Sequence, residues 1–318
     1  MKKYQVTAII LTYNPDLCKL KRTIYSFLKQ KDIRLQIILS DDGSKQNYYT
    51  EAEKLLKQNG FTDYRLLSSE KNAGTVENIY KALPYAEGEY IKLLSPGDYL
   101  YQDDTMKRWY DKAKEDNARL SFGDAIHYFE DDCGLHYAKK ITHPMYMDIY
   151  RHNPSIDQVR YHYLAIPDIT TGATILCQTD LMKQYMALVI GKVIYAEDHI
   201  YRIMHLDGIA QSYCGFPVIW YETNIGVSSG KSKKWAKLLN DDLLSANEIM
   251  IRREPLDNLA KKCQKELARK KDGKVMRKVR RYMAFPELLW KKFGEPEESI
   301  QSADETFFQN VREWSEER

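Results

Sequence analysis

The stretch LQIILSDDGS, residues 35–44, decides the fold of this chain, because an apolar strand pattern runs directly into two carboxylates and a Gly-Ser pair. An earlier stretch, QVTAIILTYNP at residues 5–15, also has a β-branched run that ends in a short polar turn. A helical pattern follows each stretch, and open α/β sheets bind ligands beyond the carboxyl ends of such strands. Two adjacent carboxylates there need hydrogen bonds from a ligand or from the backbone. The alternative is that Asp-Gly-Ser only forms an ordinary turn and a helix N-cap, for which these residue types are equally common.

The first hundred residues alternate between strand and helix patterns. The predicted strands lie near residues 4–11, 34–40, 64–67 and 89–94, and the predicted helices lie near 17–30, 46–59 and 74–85. Alternation at this spacing predicts parallel βαβ units with right-handed crossovers. The predicted fold class is therefore α/β, with a mainly parallel, Rossmann-like sheet and flanking helices.

The pattern changes after residue 119, where strands and helices no longer alternate regularly. Predicted strands lie at 120–129, at 135–141, within 168–178 and at 212–221, and predicted helices lie at 154–164, at 180–189 with Thr179 as a cap, and at 197–206. After a polar, basic loop at 226–234, residues 235–315 are almost entirely helical in pattern. We predict an α/β domain over residues 1–230 and a helical, basic C-terminal region over residues 231–318.

Composition favours a globular protein of the cytoplasm. Hydrophobic residues make up 43% of the 318 residues and charged residues 29%, as in soluble domains. No run reaches the roughly 18 uncharged apolar residues that span a bilayer, and the first residues lack the apolar core of a signal peptide. The five cysteines are widely spaced, with no pair at zinc or redox spacing, which favours reduced thiols.

A strongly basic segment lies behind the small net charge of +3. Residues 261–292 contain 13 lysines and arginines against three acids, a net charge of +10, so the rest of the chain carries −7. Apolar residues alternate with these charges up to residue 293, which is typical of an amphipathic helix on an anionic membrane surface. The alternatives are RNA binding, for which no motif is present, packing on the chain's own domain, and contact with a second copy in a homo-oligomer.

Five short motifs follow strands or open helices along the chain. They are Thr12-Tyr13-Asn14, Asp41-Asp42-Gly43-Ser44, Asn72-Ala73-Gly74, Ser95-Pro96-Gly97-Asp98 and Glu197-Asp198. In this order and spacing the chain resembles family 2 glycosyltransferases with the GT-A fold over about residues 4–230. The bacterial members that it resembles build capsule, exopolysaccharide or cell-wall polymers.

The resemblance implies a site for a nucleotide-sugar donor, most simply a UDP-sugar. It implies that Tyr13 stacks on the base, that the backbone of Thr12 helps to hold it, and that Asp42 accepts a hydrogen bond from uracil N3–H. A core aromatic is the plain alternative for Tyr13. The neighbouring Asp41 is interpreted as structural, because it is placed to hold backbone N–H groups of the turn.

Two further segments are implied to contact the donor. Asn72 and Gly74 lie in a turn before a helix, where a glycine allows the backbone to approach ribose or phosphate. Ser229 and Lys231 belong to a polar loop that would close over the diphosphate as a lid. The alternatives are an ordinary turn and cap at residues 72–74 and a simple connector at residues 226–234.

The resemblance also implies a divalent cation, Mn²⁺ or Mg²⁺, between an acid cluster and the donor diphosphate. In this chain Asp98 is the acid that remains, and Gly97 stands where a ribose-contacting acid is common. Asp98 alone can ligate a cation that also binds diphosphate oxygens and water. Asn224 stands where some members have an additional histidine ligand, so the dependence on metal is weaker than for a full cluster.

Glu197 and Asp198 are implied to form the catalytic acid pair beneath the acceptor. Inverting transfer needs one general base to take a proton from the acceptor hydroxyl, and by position this base is Asp198. Glu197 would orient the acceptor or raise the basicity of Asp198. An acidic helix N-terminus is the plain alternative. We therefore predict an inverting glycosyltransferase that acts on a glycan or lipid-linked glycan, in the cytoplasm or on the inner face of the membrane.

Two other functions stay open at this point. A catalytically degenerate, glycosyltransferase-like scaffold is suggested by Gly97 and Asn224. A nucleotidyltransferase would share the sheet and the divalent metal, but it should have a Gly-rich, basic loop after its first strand, where this chain has TYNPD at residues 12–16. The sequence leaves the donor sugar, the acceptor and the linkage undetermined.

Overall fold

The computed structural model describes five stretches of the chain: 3–166, 168–223, 233–268, 274–300 and 302–316. The first hundred residues form the predicted βαβ units. Their strands are β1 Tyr4–Thr12, β2 Leu35–Asp41, β3 Tyr64–Ser68 and β4 Gly88–Leu94, and their helices are α1 Leu17–Leu28, α2 Tyr49–Gln58 and α3 Thr75–Ala82, the last continued by a 3-10 turn at Leu83–Tyr85. The strands lie in the order β3-β2-β1-β4, and all three pairings are parallel.

Strands β1 and β2 are mostly apolar on both sides because helices cover both faces of the sheet. Ile9 and Ile38 pack on the face that α3 covers, whereas Ile10 and Leu39 pack on the face that α1 and α2 cover. The register pairs Thr12, the last residue of β1, with the last residue of β2. The two polar turns after these strands therefore lie side by side at one edge of the sheet.

The second half of the sheet mixes parallel and antiparallel pairs. Its elements are β5 Tyr99–Leu100, α4 Thr105–Glu115, β6 Leu120–Asp131, β7 Gly134–Tyr137, α5 Asp148–Arg151, α6 Ile156–Ala165, β8 Ile175–Gln178, α7 Thr179–Val189, α8 His199–Leu206 and β9 Ser212–Glu222. The full order is β3-β2-β1-β4-β8-β6-β9-β5, with β7 forming a hairpin with β6. Strand β9 is parallel to β6 and antiparallel to β5.

The C-terminal helices pack into the same core as the sheet. They are α9 Lys233–Arg252, α10 Asn258–Leu267, α11 Lys274–Ala284 and α12 Thr306–Glu316. Met250 of α9 and Cys263 of α10 belong to the hydrophobic cluster that contains Ile9, and Trp314 of α12 stacks on Tyr25 of α1 at 3.8 Å between ring centroids. A domain boundary at residue 230 stays a prediction. Among the described residues, no helix combines the length and the apolar character needed to cross a bilayer.

Three local predictions are wrong. Residues 290–300 and 302–305 are not helical, because Gly294 and Pro296 interrupt the pattern and Glu298 forms a β-bridge with Ile141. Thr179 does not cap α7 but is its first residue, and its hydroxyl donates to the Gly88 carbonyl at 2.6 Å. The strand predicted at 135–141 ends at residue 137.

Candidate active site at the carboxyl edge of the sheet

Asp41, the last residue of β2, holds the turn that follows it. Its carboxylate is buried, and it accepts the Thr12 hydroxyl at 3.0 Å on Oδ1 and the Ser44 backbone amide at 2.9 Å on Oδ2. The Ser44 hydroxyl donates to Oδ1 as well. Asp41 therefore ties the ends of β1 and β2 together, which is a structural role.

Asp42 joins this turn to the turn before α3. The residue is 4% exposed, and its carboxylate accepts the Ala73 amide at 2.9 Å on Oδ1 and the Gly74 amide at 2.8 Å on Oδ2. Each carboxylate oxygen can accept a further hydrogen bond, because it has two lone pairs. Tyr13 is 55% exposed beside these turns, so the alternative of a core aromatic at this position is wrong.

Gly74 is required by packing within the protein. Its φ of +100° lies in the left-handed region, and a Cβ at this position would lie 2.6 Å from the Ile194 carbonyl oxygen. The same carbonyl accepts the Val76 amide at 3.0 Å. Asn72, in the same turn, accepts the Tyr195 hydroxyl at 3.4 Å. The turn at residues 72–74 is therefore docked on the segment that leads to Glu197 and Asp198.

That segment is held in place by Asp242 of α9, a residue that the sequence does not single out. Asp242 is 3% exposed, and its carboxylate accepts three consecutive backbone amides: Ile194 at 2.9 Å, Tyr195 at 2.7 Å and Ala196 at 2.9 Å. In the sequence it is one of two adjacent aspartates on a helix, a pattern that is typical of a solvated face. Only the packing of α9 against residues 194–196 shows that Asp242 binds the backbone of this segment.

Asp198 is the N-cap residue of α8, and its carboxylate faces the backbone of Gly172. A Cβ at Gly172 would lie 2.0 Å from Asp198 Oδ1, so this position tolerates little beyond a hydrogen atom. Oδ1 is buried, and within the described part of the chain it has no hydrogen-bond partner. A buried acceptor without a donor is costly, so this oxygen is suited to receive a proton from a bound molecule.

Both acids of the pair have a raised pKa. Burial raises the pKa of Asp198 to about 6, and the Gly172 backbone partly opposes this rise. Burial raises the pKa of Glu197 well above its usual range, and the negative charge of Asp198 raises it further. With a pKa of about 6, Asp198 is mostly ionised near neutral pH and able to accept a proton, while the raised pKa of Glu197 favours its protonated form.

Asp98 lies between β4 and β5, next to the end of β9. Its Oδ1 accepts the Glu222 backbone amide at 3.1 Å, and burial raises the pKa of Asp98 to about 7. The Glu222 carboxylate occupies the space beside Gly97, because a Cβ at Gly97 would lie 2.2 Å from Glu222 Oε2. Position 97, where an acid is common in the family, therefore has a glycine with the Glu222 carboxylate of β9 beside it. Glu222 also forms an ion pair with Lys19.

Lys92 of β4 connects Asp98 to the acid pair. The side chain is fully buried, and its ammonium donates to the backbone carbonyl of Leu93 at 3.0 Å and to that of Ala173. Burial lowers the pKa of Lys92 to about 7, and the charge of Asp98 opposes this effect. Ala173 follows Gly172, so Lys92 supports the backbone segment that faces Asp198.

Two series of contacts therefore connect the predicted residues. One runs from Asp42 through the Gly74 turn and the Ile194 segment to the acid pair. The other runs from Asp98 through Lys92 and the backbone at residues 172–173 to Asp198. Both series lie at the carboxyl edge of the sheet, where a ligand would be expected.

Residues 7–184 match the family model of glycosyl transferase family 2. The chain belongs to this family. The match covers the turns at residues 12–15, 41–44, 72–74 and 95–98, and it ends before Glu197. The family match therefore includes the turns that follow the strands. The acid pair, Glu222 and Asp242 lie after the matched residues.

Solved structures of the Staphylococcus aureus protein TarS share this fold. TarS 1–349 superposes with a TM-score of 0.58 at 13% identity, covering 89% of this chain and 73% of that one. The complex of TarS 1–349 with UDP-GlcNAc gives 0.57 at 15% identity, covering 83% and 71%. The complex with UDP gives 0.54 at 14% identity, covering 83% and 70%. No curated protein matches the chain. At these identities the likeness shows a GT-A fold.

A divalent cation fits the acids of this family 2 glycosyltransferase. The Asp98 carboxylate accepts the Glu222 backbone amide and the Glu222 carboxylate lies beside Gly97, and Mg²⁺ commonly uses one or two carboxylates together with phosphate oxygens and water. Within the described stretches, no group of three or more His, Cys, Asp or Glu side chains could hold a metal. Asn224, Ser229 and Lys231 lie outside the described residues.

Proposed function

We propose that this protein is an inverting glycosyltransferase that transfers a sugar from a nucleotide-sugar, most simply a UDP-sugar, to a glycan hydroxyl in the synthesis of a bacterial surface polysaccharide. The observation that supports this most directly is the Asp198 carboxylate, with a buried Oδ1 that lacks a donor among the described residues. Its ionisation near pH 6 suits a general base at neutral pH. The fold shared with TarS, solved with UDP and with UDP-GlcNAc, supports the choice of donor.

The transfer would be a single displacement. The acceptor hydroxyl gives its proton to Asp198 as its oxygen forms a bond to the anomeric carbon of the donor sugar. The bond between that carbon and the diphosphate oxygen breaks, and the nucleoside diphosphate leaves with the electron pair. Glu197 would hold the acceptor oxygen in line, because burial and the charge of Asp198 raise its pKa and favour the protonated form, which donates a hydrogen bond.

The donor base would lie in the space bordered by the exposed ring of Tyr13 and the carboxylate of Asp42. Stacking on an aromatic ring is available to any base, whereas a carboxylate that still has free lone pairs selects an N–H donor such as uracil N3–H. Asp42 is already fixed by two backbone amides, so it would be preorganised for this contact at little additional cost in entropy.

Asp98, with Glu222 beside it, would hold Mn²⁺ or Mg²⁺ at the diphosphate. Such a cation, when bound, would neutralise the charge that develops on the departing diphosphate. Lys19 and Lys92 already act electrostatically on these two carboxylates. Their positive charges limit the repulsion between Asp98 and Glu222 in the absence of a cation.

The test compares nucleotide binding with catalysis. We expect UDP to raise the melting temperature more than GDP, CDP or dTDP, with a larger rise when Mn²⁺ is present, because a ligand that binds the folded state stabilises it. Asp198→Asn should abolish UDP release from a panel of UDP-sugars while leaving UDP binding unchanged. Stabilisation by UDP without any UDP release by the wild type would favour the scaffold function. An absence of stabilisation by all four nucleotides would refute the donor site.

A further inference from the structure

Helix α11 presents an apolar stripe to solvent. Val275, Val279 and Met283 are spaced by four residues, which places them on one face, and their exposed fractions are 75%, 42% and 77%. Beyond the end of the helix, Leu289 and Trp290 are exposed to 65% and 69%. Large apolar side chains at this exposure, close together in the chain, mark a surface that is built to be covered.

A cationic cavity lies beside this stripe. It has a volume of about 540 Å³, and the described residues that line it include three cations, Lys278, Arg281 and Lys291, and no acid. Arg281 is partly neutralised by Glu266 at 3.1 Å. The ammonium groups of Lys278 and Lys291 lie over aromatic rings and form no salt bridge with an acid in the described stretches, although the charge of Glu287 acts on Lys291.

We propose that this cavity binds the phosphate of an anionic phospholipid headgroup, and that the apolar stripe of α11 inserts into the bilayer beside it. The surface would then dock the protein on the cytoplasmic face of a membrane. The proposal concerns the C-terminal helices and does not depend on the chemistry at Asp198. Vesicle binding and sugar transfer can therefore fail independently of each other.

The combination of cavity and stripe favours a lipid over a soluble anion. Phosphate alone would satisfy Lys278 and Lys291 but would leave the valines, Met283 and Trp290 in water. An anionic bilayer satisfies both, because its headgroups attract cations while its acyl boundary accepts apolar side chains. Tyr282, which also lines the cavity, has the amphipathic character that suits this boundary, and Phe293 adds an apolar ring beside it.

The experiment is co-sedimentation of the full-length protein with vesicles of phosphatidylcholine, with or without 30% phosphatidylglycerol as a chosen anionic fraction. We expect binding to the anionic vesicles, and weaker binding at high salt because exposed charges are screened. Lys278→Gln with Lys291→Gln should weaken binding by roughly tenfold to thirtyfold. The matched control is Lys29→Gln with Lys54→Gln, which removes two exposed cations elsewhere, one of them also over an aromatic ring, and should leave binding unchanged.

The stripe is tested separately with Met283→Ser and Trp290→Ser. We expect both to weaken vesicle binding, whereas Ile156→Ser and Leu256→Ser, which remove apolar groups that are 62% and 61% exposed elsewhere, should not. Equal binding to neutral and anionic vesicles would overturn the proposal, and so would anionic binding that survives the loss of both lysines. Glycerol phosphate that binds the cavity as tightly as vesicles do, with α11 variants unaffected, would assign the cavity to a soluble anion instead.

Discussion

Replacement of Gly172 by alanine is the sharpest test of the active site, because it adds one methyl group against the proposed base. The new Cβ would lie 2.0 Å from Asp198 Oδ1 and 3.0 Å from its Cγ, whereas ordinary contacts begin at 3.4 Å. The carboxylate must therefore move by about 1.4 Å. Gly172 does not lie in the left-handed region of φ, so the backbone accepts alanine and the effect stays local to the carboxylate.

The expected loss follows from this displacement. A misplacement of about 1 Å in a reacting group can reduce the rate by about 10²-fold, so we expect kcat to fall by about 100-fold. The donor KM and the UDP dissociation constant should change by less than about twofold, because the donor contacts at Tyr13 and Asp42 are not touched. The overpacking should lower the free energy of unfolding by about 1–3 kcal/mol.

The assay is steady-state UDP release, combined with UDP titration and thermal unfolding of the same preparations. Gly60→Ala is the control, because its Cβ would meet open space while its φ of +67° costs some stability. It should lower the melting temperature and leave kcat unchanged. A folded Gly172→Ala protein with kcat within threefold of the wild type would refute the assignment of Asp198 as the base.

Three further predictions concern single groups. Activity should rise with pH through about 6 and level off above 7, because Asp198 must lose its proton to act as a base. Measurement of kcat from pH 5 to 8 tests this expectation. A kcat that does not change from pH 5 upward would contradict it. Glu222→Gln should weaken Mn²⁺ binding to the UDP complex by about tenfold or more in calorimetry, while Glu70→Gln, at an exposed position, should not. Asp242→Asn should lower kcat by about tenfold, because residues 194–196 lose the carboxylate that holds their amides. The control Asp257→Asn removes another carboxylate that accepts a backbone amide, at the N-cap of α10, and should lower only the melting temperature. Equal effects of the two variants on kcat would contradict a positioning role for Asp242.

The elements that sequence predicts best are those fixed by local patterns. Strands β1, β2 and β4 are rich in β-branched and other apolar residues, and their predicted limits lie within one residue of those observed. The turns after them carry the chemistry that a local pattern can reveal, including Asp41, Asp42 and Asp98. Helix ends are predicted less well, because Thr179 forms a tertiary hydrogen bond to Gly88 in place of the local cap that its residue type suggests.

The residues that sequence analysis does not identify make contacts with segments that are distant in the chain. Glu222 matters because β9 ends beside the Gly97 turn, 125 positions away in the chain, and nothing in the residues around either position signals this contact. Lys92 looks like an ordinary polar residue on a strand, yet it is fully buried and supports the backbone next to Asp198. Such contacts depend on the register of distant strands, which local composition does not determine.

The two sides of the proposed site come from different parts of the chain. The turns of the proposed donor side follow β1, β2 and β4 and lie within the matched residues 7–184. The acid pair lies after these residues. Asp242 of α9 holds the three backbone amides that precede the pair, and Gly172, within the matched residues, leaves room for the Asp198 carboxylate. The proposed base is therefore positioned through α9, a C-terminal helix, whereas the proposed donor turns are fixed by the sheet itself.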